Sequence, residues 1–173
     1  MLVRRRVAKL LADYYAQPAN RVIGSAYLTE GNREINFRSL WGEWHYRRLC
    51  KRLYDQQEGR WLTSVELMRP FYSRAVANFV AVQARSFQQQ QQQPVNGFEV
   101  VELGGGRATN ASVILSHLQK DHPDVYDHLS SYTLMDASPS LLSLQEETMR
   151  TTGEHFDKMN FELKDMIDVA EEK

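Results

Sequence analysis

Consecutive glycines after an apolar run are the residues of this sequence best suited to receive a ligand. They occupy 104–106, directly after the run 98–103, whose last acidic residue is Glu102. Glycine permits a sharp turn between a strand and a helix, and it lets a ligand approach the backbone closely. The next apolar run, 132–136, ends in Asp136, a carboxylate able to accept hydrogen bonds from ribose hydroxyls. This spacing predicts a site for a nucleotide-like ligand.

Short strands alternating with helices must position these residues. Parallel strands bring their carboxyl ends to one edge of a sheet, where α/β folds bind ligands. The β-branched runs predict strands, and the segments between them carry apolar residues at helical spacing. We predict strands at 98–103, 132–136 and 159–165, helices at 108–120 and 138–150, and a loop with a short turn of helix at 122–131. The predicted fold class is α/β, and the predicted elements are the first part of a Rossmann-like fold.

Residues that commonly cap helices mark the start of both predicted helices. Thr109 or Asn110 can cap the first helix, and Ser138 can cap the second, with Pro139 at its first helical position. The first helix should bury the apolar residues Val113, Ile114, Leu115 and Leu118.

The part of the chain before residue 88 is predicted to be mainly helical. Segment 37–57 is amphipathic, and segment 62–87 has Thr63 or Ser64 as a cap, with Glu66 placed for a capping box. Pro70 should interrupt or restart the second of these helices. The buried stripe predicted for segment 37–57 consists of Trp41, Trp44, Leu49 and Leu53.

A run of six glutamines, Gln88–Gln93, separates the two compositional halves of the chain. Such a run has no apolar face to bury, so we predict a flexible, exposed linker or loop over 88–97. The predicted organisation is a helical segment at 1–87, the linker at 88–97, and the first half of a Rossmann-like domain at 98–173.

Composition and charge exclude several classes of protein. No stretch approaches the roughly 18 apolar residues of a membrane span. The single cysteine, Cys50, excludes an intrachain disulfide and a cysteine-cluster metal site, and the five histidines show no metal-ligand spacing. Residues 1–85 carry a net charge of +8 and residues 98–173 a net charge of -9. Because the basic residues alternate with apolar ones at helical spacing, we favour packing or targeting over nucleic-acid binding.

The N-terminus, MLVRRRVAKLLADYY, has two interpretations. It carries four basic residues before its first acid, Asp13, with apolar residues at helical intervals. This pattern is typical of a mitochondrial presequence, which would place the protein in the matrix. The alternative is an ordinary first helix, with a cytoplasmic protein.

Three interpretations of the glycine segment stay open from the spacing alone. The dinucleotide pattern needs a third glycine where Thr109 stands. The pattern of S-adenosylmethionine (SAM) methyltransferases fits Glu102, Gly104 and Gly106, with Ala108 in the place of the third glycine. Glu102 could then help to hold the cationic amino-acid end of SAM. A glycine turn without a ligand is the third interpretation.

The sequence around these residues resembles the MidA-like methyltransferases, a family that includes a mitochondrial protein arginine methyltransferase and assembly factor of respiratory complex I. The resemblance covers about residues 59–149. Outside the glycine segment 104–106, three groups of residues carry the resemblance. They are Gly59, Thr63, Glu66 and Phe71; then Pro123, Tyr126 and Leu129; and finally Asp136, Ser138, Pro139, Leu141 and Gln145.

The resemblance implies a class I SAM-dependent methyltransferase fold and methyl transfer to an arginine of a partner protein, with a complex I subunit as the suggested partner. It names no catalytic residue, although Glu66 stands where a substrate-orienting acid could lie. Bound metal is not implied. The predicted SAM-binding residues are Glu102, Gly104, Gly105, Gly106, Asp136, Ala137 and Thr63.

Departures from the family pattern favour an alternative function. The family's Gly-Asp-Phe reads Gly59-Arg60-Trp61, its Phe-Gly reads Phe71-Tyr72, and the chain stops soon after the third predicted strand. We therefore expect a fragment or short form. The alternative is a non-catalytic assembly or interaction protein, or an inactive fragment of such an enzyme. A nicotinamide-dependent oxidoreductase is disfavoured by Glu102 and by the absent third glycine.

Overall fold

Three parallel strands form a sheet in the carboxyl-terminal half of the chain. The computed structural model describes residues 6–7, 9–10, 13–14, 23–24, 35–56, 61–90 and 97–164. The strands are β1 (Phe98–Leu103), β2 (Leu129–Asp136) and β3 (Met159–Leu163), in the spatial order β1-β2-β3. Both pairings are parallel, so the predicted α/β fold class is confirmed.

The register brings the carboxyl ends of the strands to one edge of the sheet. Leu103 pairs with Met135, and Asp136 pairs with Leu163. β1 has the predicted bounds, whereas β2 begins three residues earlier than predicted because Leu129 is buried at its start. Ser131 pairs with Glu99 of β1, a partner on the neighbouring strand that a local sequence pattern does not show.

Helices connect the strands and cover the sheet. Their bounds are α1 (Glu43–Gln56), α2 (Ser64–Leu67), α3 (Phe71–Gln90), α4 (Thr109–Asp121), α5 (Pro123–His128) and α6 (Pro139–Thr152). Short 3-10 helices lie at Phe37–Ser39 and Phe156–Lys158.

Helix α6 begins as predicted, and α4 does not. Ser138 accepts a hydrogen bond from the Leu141 amide, and Pro139 occupies the first turn of α6. The N-cap of α4 is Ala108, in the left-handed region at φ 63°, with no side-chain cap. Thr109 and Asn110, the predicted caps, instead donate side-chain hydrogen bonds to carboxylates of other elements.

The core lies between the sheet and helices α3 and α4. Its fully buried residues include Leu115 and Leu118 of α4, Tyr132 and Leu134 of β2, and Ala77 of α3. The four α4 residues predicted to face inward are all buried. Apolar burial on this scale is the main stabilising contribution to a domain of this size.

Helix α3 packs directly on the α/β part of the chain. Three alanines on one of its faces are buried in the shared core, and Arg85 forms a bidentate ion pair with Asp124 of α5. α3 extends through Gln90, so the first glutamines of the predicted linker continue a helix. Residues 91–96 of that linker lie outside the described residues.

The buried stripe predicted for segment 37–57 is wrong in its aromatic members. Trp41 is 84% exposed and Trp44 is 61% exposed, whereas Leu53 is buried and Leu49 is half-buried. Helical spacing placed these residues on one face, but the described residues bury only the Leu53 end of that face. Cys50 is half-buried on α1.

Within the described residues, no helix is long and apolar enough to cross a membrane.

Candidate functional site

The glycine segment forms an open turn at the carboxyl end of β1. Gly104 and Gly106 adopt φ values of 70° and 59°, in the left-handed region that glycine enters at little cost. The Gly104 amide donates to the Met135 carbonyl over 2.8 Å, which fixes the turn against β2. A Cβ placed on Gly104 would meet no atom within 4 Å. This turn therefore leaves space for a ligand beside its backbone.

Gly105 faces the protein interior. A Cβ on this residue would lie 2.6 Å from Cδ2 of Leu134 and 3.7 Å from Nε2 of Gln145. Close packing on the sheet therefore explains this glycine, whereas Gly104 faces the open side of the turn. The two residues have different physical reasons for being glycine.

Asp136 ends β2 with both carboxylate oxygens already engaged once. Oδ1 accepts from the Ser138 amide over 3.0 Å, and Oδ2 accepts from Nε2 of Gln145 over 3.0 Å. A carboxylate offers about four lone-pair sites, so two acceptor positions remain beyond the hydrogen bonds among the described residues. Asp136 is largely buried, with 9% of its surface exposed. The predicted site residue Ala137 follows it and is exposed.

Gln145 is a part of this site that sequence reasoning did not assign. Its Nε2 also donates to the carbonyl of Gly106 over 3.3 Å, so a single amide group contacts both the acid and the glycine turn. Its side chain is fully buried. The family resemblance of the sequence places Gln145 in the same block as Asp136, but it assigned this glutamine no role at the site.

Glu102 points into a hydrogen-bonded cluster below the turn. Its Oε1 accepts from Nδ2 of Asn110 over 2.8 Å, and its Oε2 accepts from the hydroxyl of Tyr132 over 2.7 Å. Burial, with the Glu102 charge beside the hydroxyl, raises the pKa of Tyr132 far above its ordinary value, so this phenol stays a donor. These contacts connect β1, β2 and α4 beneath the site.

Thr63 and Glu66 bring the upstream segment to the start of α4. Thr63 caps α2, its Oγ1 accepting from the Glu66 amide over 3.4 Å, as predicted. The Glu66 carboxylate is buried and accepts from Oγ1 of Thr109, directly after the glycine turn. Glu66 therefore lies beside the turn with its carboxylate engaged inside the protein, and Thr63 is tied to it through the cap of α2.

Ile23, which lies further upstream in the chain, also lies near the glycine turn. Ile23 pairs with Trp61 in an isolated parallel bridge, and its carbonyl accepts from the Arg107 guanidinium over 3.2 Å. Its side chain packs with Leu141 of α6, and a Cβ added at Gly106 would lie 3.8 Å from it. Residues from before α1 therefore contribute to the surroundings of the site.

Among the described residues, no group of three or more His, Cys, Asp or Glu is placed to hold a metal ion. His128 is exposed at the end of α5. His122 is half-buried, and its ring contacts Asn78 and Arg85 of α3.

Comparison with known protein families identifies the family of this chain. Residues 79–172, more than half of the chain, match the family described as "Putative S-adenosyl-L-methionine-dependent methyltransferase". The chain belongs to this family. The description names SAM as the family's cofactor, which is the cofactor that the sequence analysis predicts.

The comparisons with individual proteins add little to the family assignment. The crystal structure of a "likely methyl transferase" from Burkholderia thailandensis bound to S-adenosyl-homocysteine aligns at 21% identity with a TM-score of 0.46. The aligned part covers 61% of this chain and 24% of that protein, so the match spans about a quarter of the length of that protein. No curated protein matches the sequence.

The family's cofactor fits the residues at the carboxyl edge of the sheet. The open space beside Gly104 provides room for the ligand, and Asp136 retains acceptor capacity for hydroxyl groups. The matched region includes α4, the whole sheet and α6, and therefore all of the elements that position these two residues.

Proposed function

We propose that this chain binds SAM at the turn 104–106 and contributes to methyl transfer. The observation that carries the proposal is the pairing of an open left-handed glycine, Gly104, with a strand-end carboxylate, Asp136, in a chain of a SAM-dependent family. The spare acceptor positions of Asp136 would receive the two ribose hydroxyls. The backbone at Gly104 would lie against the cofactor where any side chain would intrude.

The remaining predicted residues take supporting roles in this proposal. Gly105 and Gly106 shape the turn, and Ala137 lies beside Asp136 on the exposed side. Glu102 was predicted to hold the amino-acid end of SAM through water or backbone. Because both of its oxygens accept hydrogen bonds from Asn110 and Tyr132, we propose that it acts by bracing the turn.

Bound SAM supplies an activated methyl group on a sulfonium, so the protein must chiefly bind and orient. Asp136 would hold the ribose of SAM, and the glycine turn would place its backbone against the cofactor. Thr63 and Glu66 hold the upstream segment against α4 at the mouth of the site. The bond between Glu66 and Thr109 favours a positioning role for this acid over direct contact with a substrate.

The substrate and cellular setting follow from the family resemblance of the sequence. The resemblance supports an arginine of a partner protein as acceptor, a complex I subunit as partner, and a role in complex I assembly. The arginine-rich amphipathic N-terminus supports the mitochondrial matrix as location. Radiolabelled methyl transfer from SAM to isolated complex I subunits, followed by mapping of the labelled residue, tests the acceptor.

A non-catalytic interaction protein is the second candidate, and one observation favours it. β1 is an edge strand among the described residues, and its Val101 and Leu103 are 53% and 47% exposed. The turn therefore has no neighbouring strand on that side within the described part of the chain. Such an edge suits pairing with a further strand.

Thermal denaturation in the presence of S-adenosyl-homocysteine (SAH), NAD⁺ or adenosine separates these candidates. Selective binding of SAH stabilises the folded chain by RT ln(1 + c/Kd), where c is the SAH concentration, so Tm should rise with SAH concentration and stay constant with NAD⁺. A rise with NAD⁺ alone would indicate a dinucleotide site. A constant Tm with all three compounds would favour the interaction protein.

A further inference from the structure

We propose that Gln145 is the positioning residue of this site, which locks the Asp136 carboxylate to the glycine turn at one separation and orientation. The inference rests on the proposed function, because the role concerns how the site is presented to SAM. It adds a residue that would not touch the cofactor and would act through Asp136.

The geometry uses the full donor capacity of one amide group. The two N–H bonds of Nε2 point to Oδ2 of Asp136 at 3.0 Å and to the Gly106 carbonyl at 3.3 Å. Both partners are acceptors, so a flipped amide would place Oε1 against two oxygens. The orientation of this side chain is therefore fixed by its partners.

Helix α6 holds the carboxylate from two places. The amide of Ser138, the N-cap, donates to Oδ1, and Gln145, two turns into the helix, donates to Oδ2. The terminal torsion of an aspartate is broad, so one hydrogen bond alone leaves the carboxylate free to turn. With both bonds in place, the two remaining acceptor positions have fixed directions.

The burial of Gln145 argues against a role in stability alone. The side chain is fully buried, and its Oε1 has no hydrogen-bond partner among the described residues. A buried amide oxygen without a partner is destabilising. A methionine of similar volume would avoid this cost if packing were the only requirement. The two donated bonds are the evident reason for an amide at this position.

A cofactor that touches both the turn and the acid requires the two at a matched spacing. Displacement of a binding group by about 1 Å is enough to weaken a preorganised site severely. Gln145 is, among the described residues, the side chain that bonds to both parts. Removing its donors should therefore reduce affinity for SAH more than it reduces the stability of the fold.

Calorimetric titration of SAH into three forms of the full chain tests this role. The forms are the wild type, Gln145→Met, which removes the donors at similar volume, and Gln119→Met, which changes an exposed glutamine of α4 as a control. We expect Gln145→Met to lose affinity by roughly tenfold or more, as for loss of a charge-assisted bond. Its Tm should fall only modestly, because the lost hydrogen bonds to Asp136 and Gly106 are partly offset by removal of the unpartnered amide oxygen. Gln119→Met should match the wild type in both measurements.

The pH dependence of SAH affinity in the variant Gln145→Glu distinguishes a hydrogen-bonding role of this side chain from a packing role. At pH 7.5 its introduced carboxylate would repel Asp136, and SAH affinity should fall strongly. Near pH 6 the buried carboxyl would take up a proton and could donate to Asp136, so affinity should partly recover. The wild type should show no comparable rise between these pH values. An equal loss at both pH values in Gln145→Glu would contradict the proposal.

A double-mutant cycle decides whether Gln145 acts through Asp136. If it does, SAH affinity in Gln145→Met combined with Asp136→Asn should be little lower than in Asp136→Asn alone. Additive losses would overturn the proposal, as would undiminished binding by Gln145→Met while the wild type binds. If Gln145→Met does not fold, Gln145→Asn keeps the amide but withdraws it by one methylene, and the same losses are expected. Failure of the wild type to bind SAH would instead refute the proposed function, and the role of Gln145 with it.

Discussion

Oγ1 of Thr109 donates a hydrogen bond to the buried carboxylate of Glu66, which lies 43 residues earlier in the chain. This contact joins α2 to the first residue of α4, directly after the glycine turn. The helical segment before the sheet is thereby tied to the candidate site. Thr109 was predicted to cap α4, and its hydroxyl serves this longer-range contact instead.

Loss of the Thr109 hydroxyl should destabilise the fold. Thr109→Val keeps the shape of the side chain but removes a donor to a buried carboxylate, which costs about 1–3 kcal/mol. Urea unfolding should show this loss as a lower midpoint at an unchanged slope. Thr109→Ser retains the hydroxyl and is the matched control. Equal stability of Thr109→Val and the wild type would show that the contact contributes nothing.

Two glycines with the same backbone conformation allow strain to be separated from ligand contact. Gly104 and Gly153 have φ values of 70° and 68°, and a Cβ on either would meet no atom within 4 Å. Substitution by alanine should cost each variant about 1–2 kcal/mol, the penalty of the left-handed region. Only Gly104→Ala should also weaken SAH binding, because Gly153 lies at the far end of α6.

Calorimetric titration of SAH into these two variants tests whether Gly104 contacts the ligand. Calorimetry should show at least roughly tenfold weaker SAH binding, equivalent to 1.4 kcal/mol, in Gly104→Ala, and unchanged binding in Gly153→Ala. Equal affinities in both variants would remove Gly104 from the site. The larger substitution Gly104→Val should abolish binding.

Acidification should destabilise the chain through His155. Burial lowers the pKa of this imidazole below its ordinary value, and Glu154 and Asp157 only partly offset that effect. The folded state therefore favours neutral His155, whose Nδ1 lies 2.7 Å from the Tyr126 hydroxyl. Stability is then complete above the ordinary histidine pKa of about 6.5 and is lost as the pH falls below it.

The variant His155→Asn tests this pH dependence. Asparagine tolerates the left-handed conformation at this position, φ 63°, and does not titrate. Burial also lowers the pKa of His117, so some loss should persist in the variant. Unfolding free energies from pH 7.5 to 5.5 should therefore fall less steeply than in the wild type. An identical slope in the two proteins would assign the effect to other groups.

Local pattern was sufficient to predict that three strands and helix α6 are present in the α/β part, although not where β2 begins. The run 98–103 is β-branched and bounded by glycines, and Ser138 with Pro139 marks a helix start by side-chain chemistry alone. The turn 104–106 and Asp136 could be placed at one edge because parallel strands share their direction. These features depend on residues that are close in sequence.

Contacts between distant elements account for the features that sequence could not predict. The side chains of Thr109 and Asn110 are occupied by Glu66 and Glu102, so α4 begins without a side-chain cap. The exposure of Trp44 depends on which elements pack against α1, which helical spacing does not specify. Gln145 depends on the approach of α6 to the glycine turn.

Calorimetric titration of SAH into the wild-type chain and into Asp136→Ala tests the central claim most directly. Two charge-assisted hydrogen bonds to ribose hydroxyls, at about 1.5–3 kcal/mol each, imply at least tenfold weaker binding in the variant. Asp136→Asn, which keeps the side-chain volume, should fall between the two. Equal binding of SAH by the wild type and Asp136→Ala, or binding of NAD⁺ without SAH, would contradict the assignment of this edge of the sheet as a SAM site.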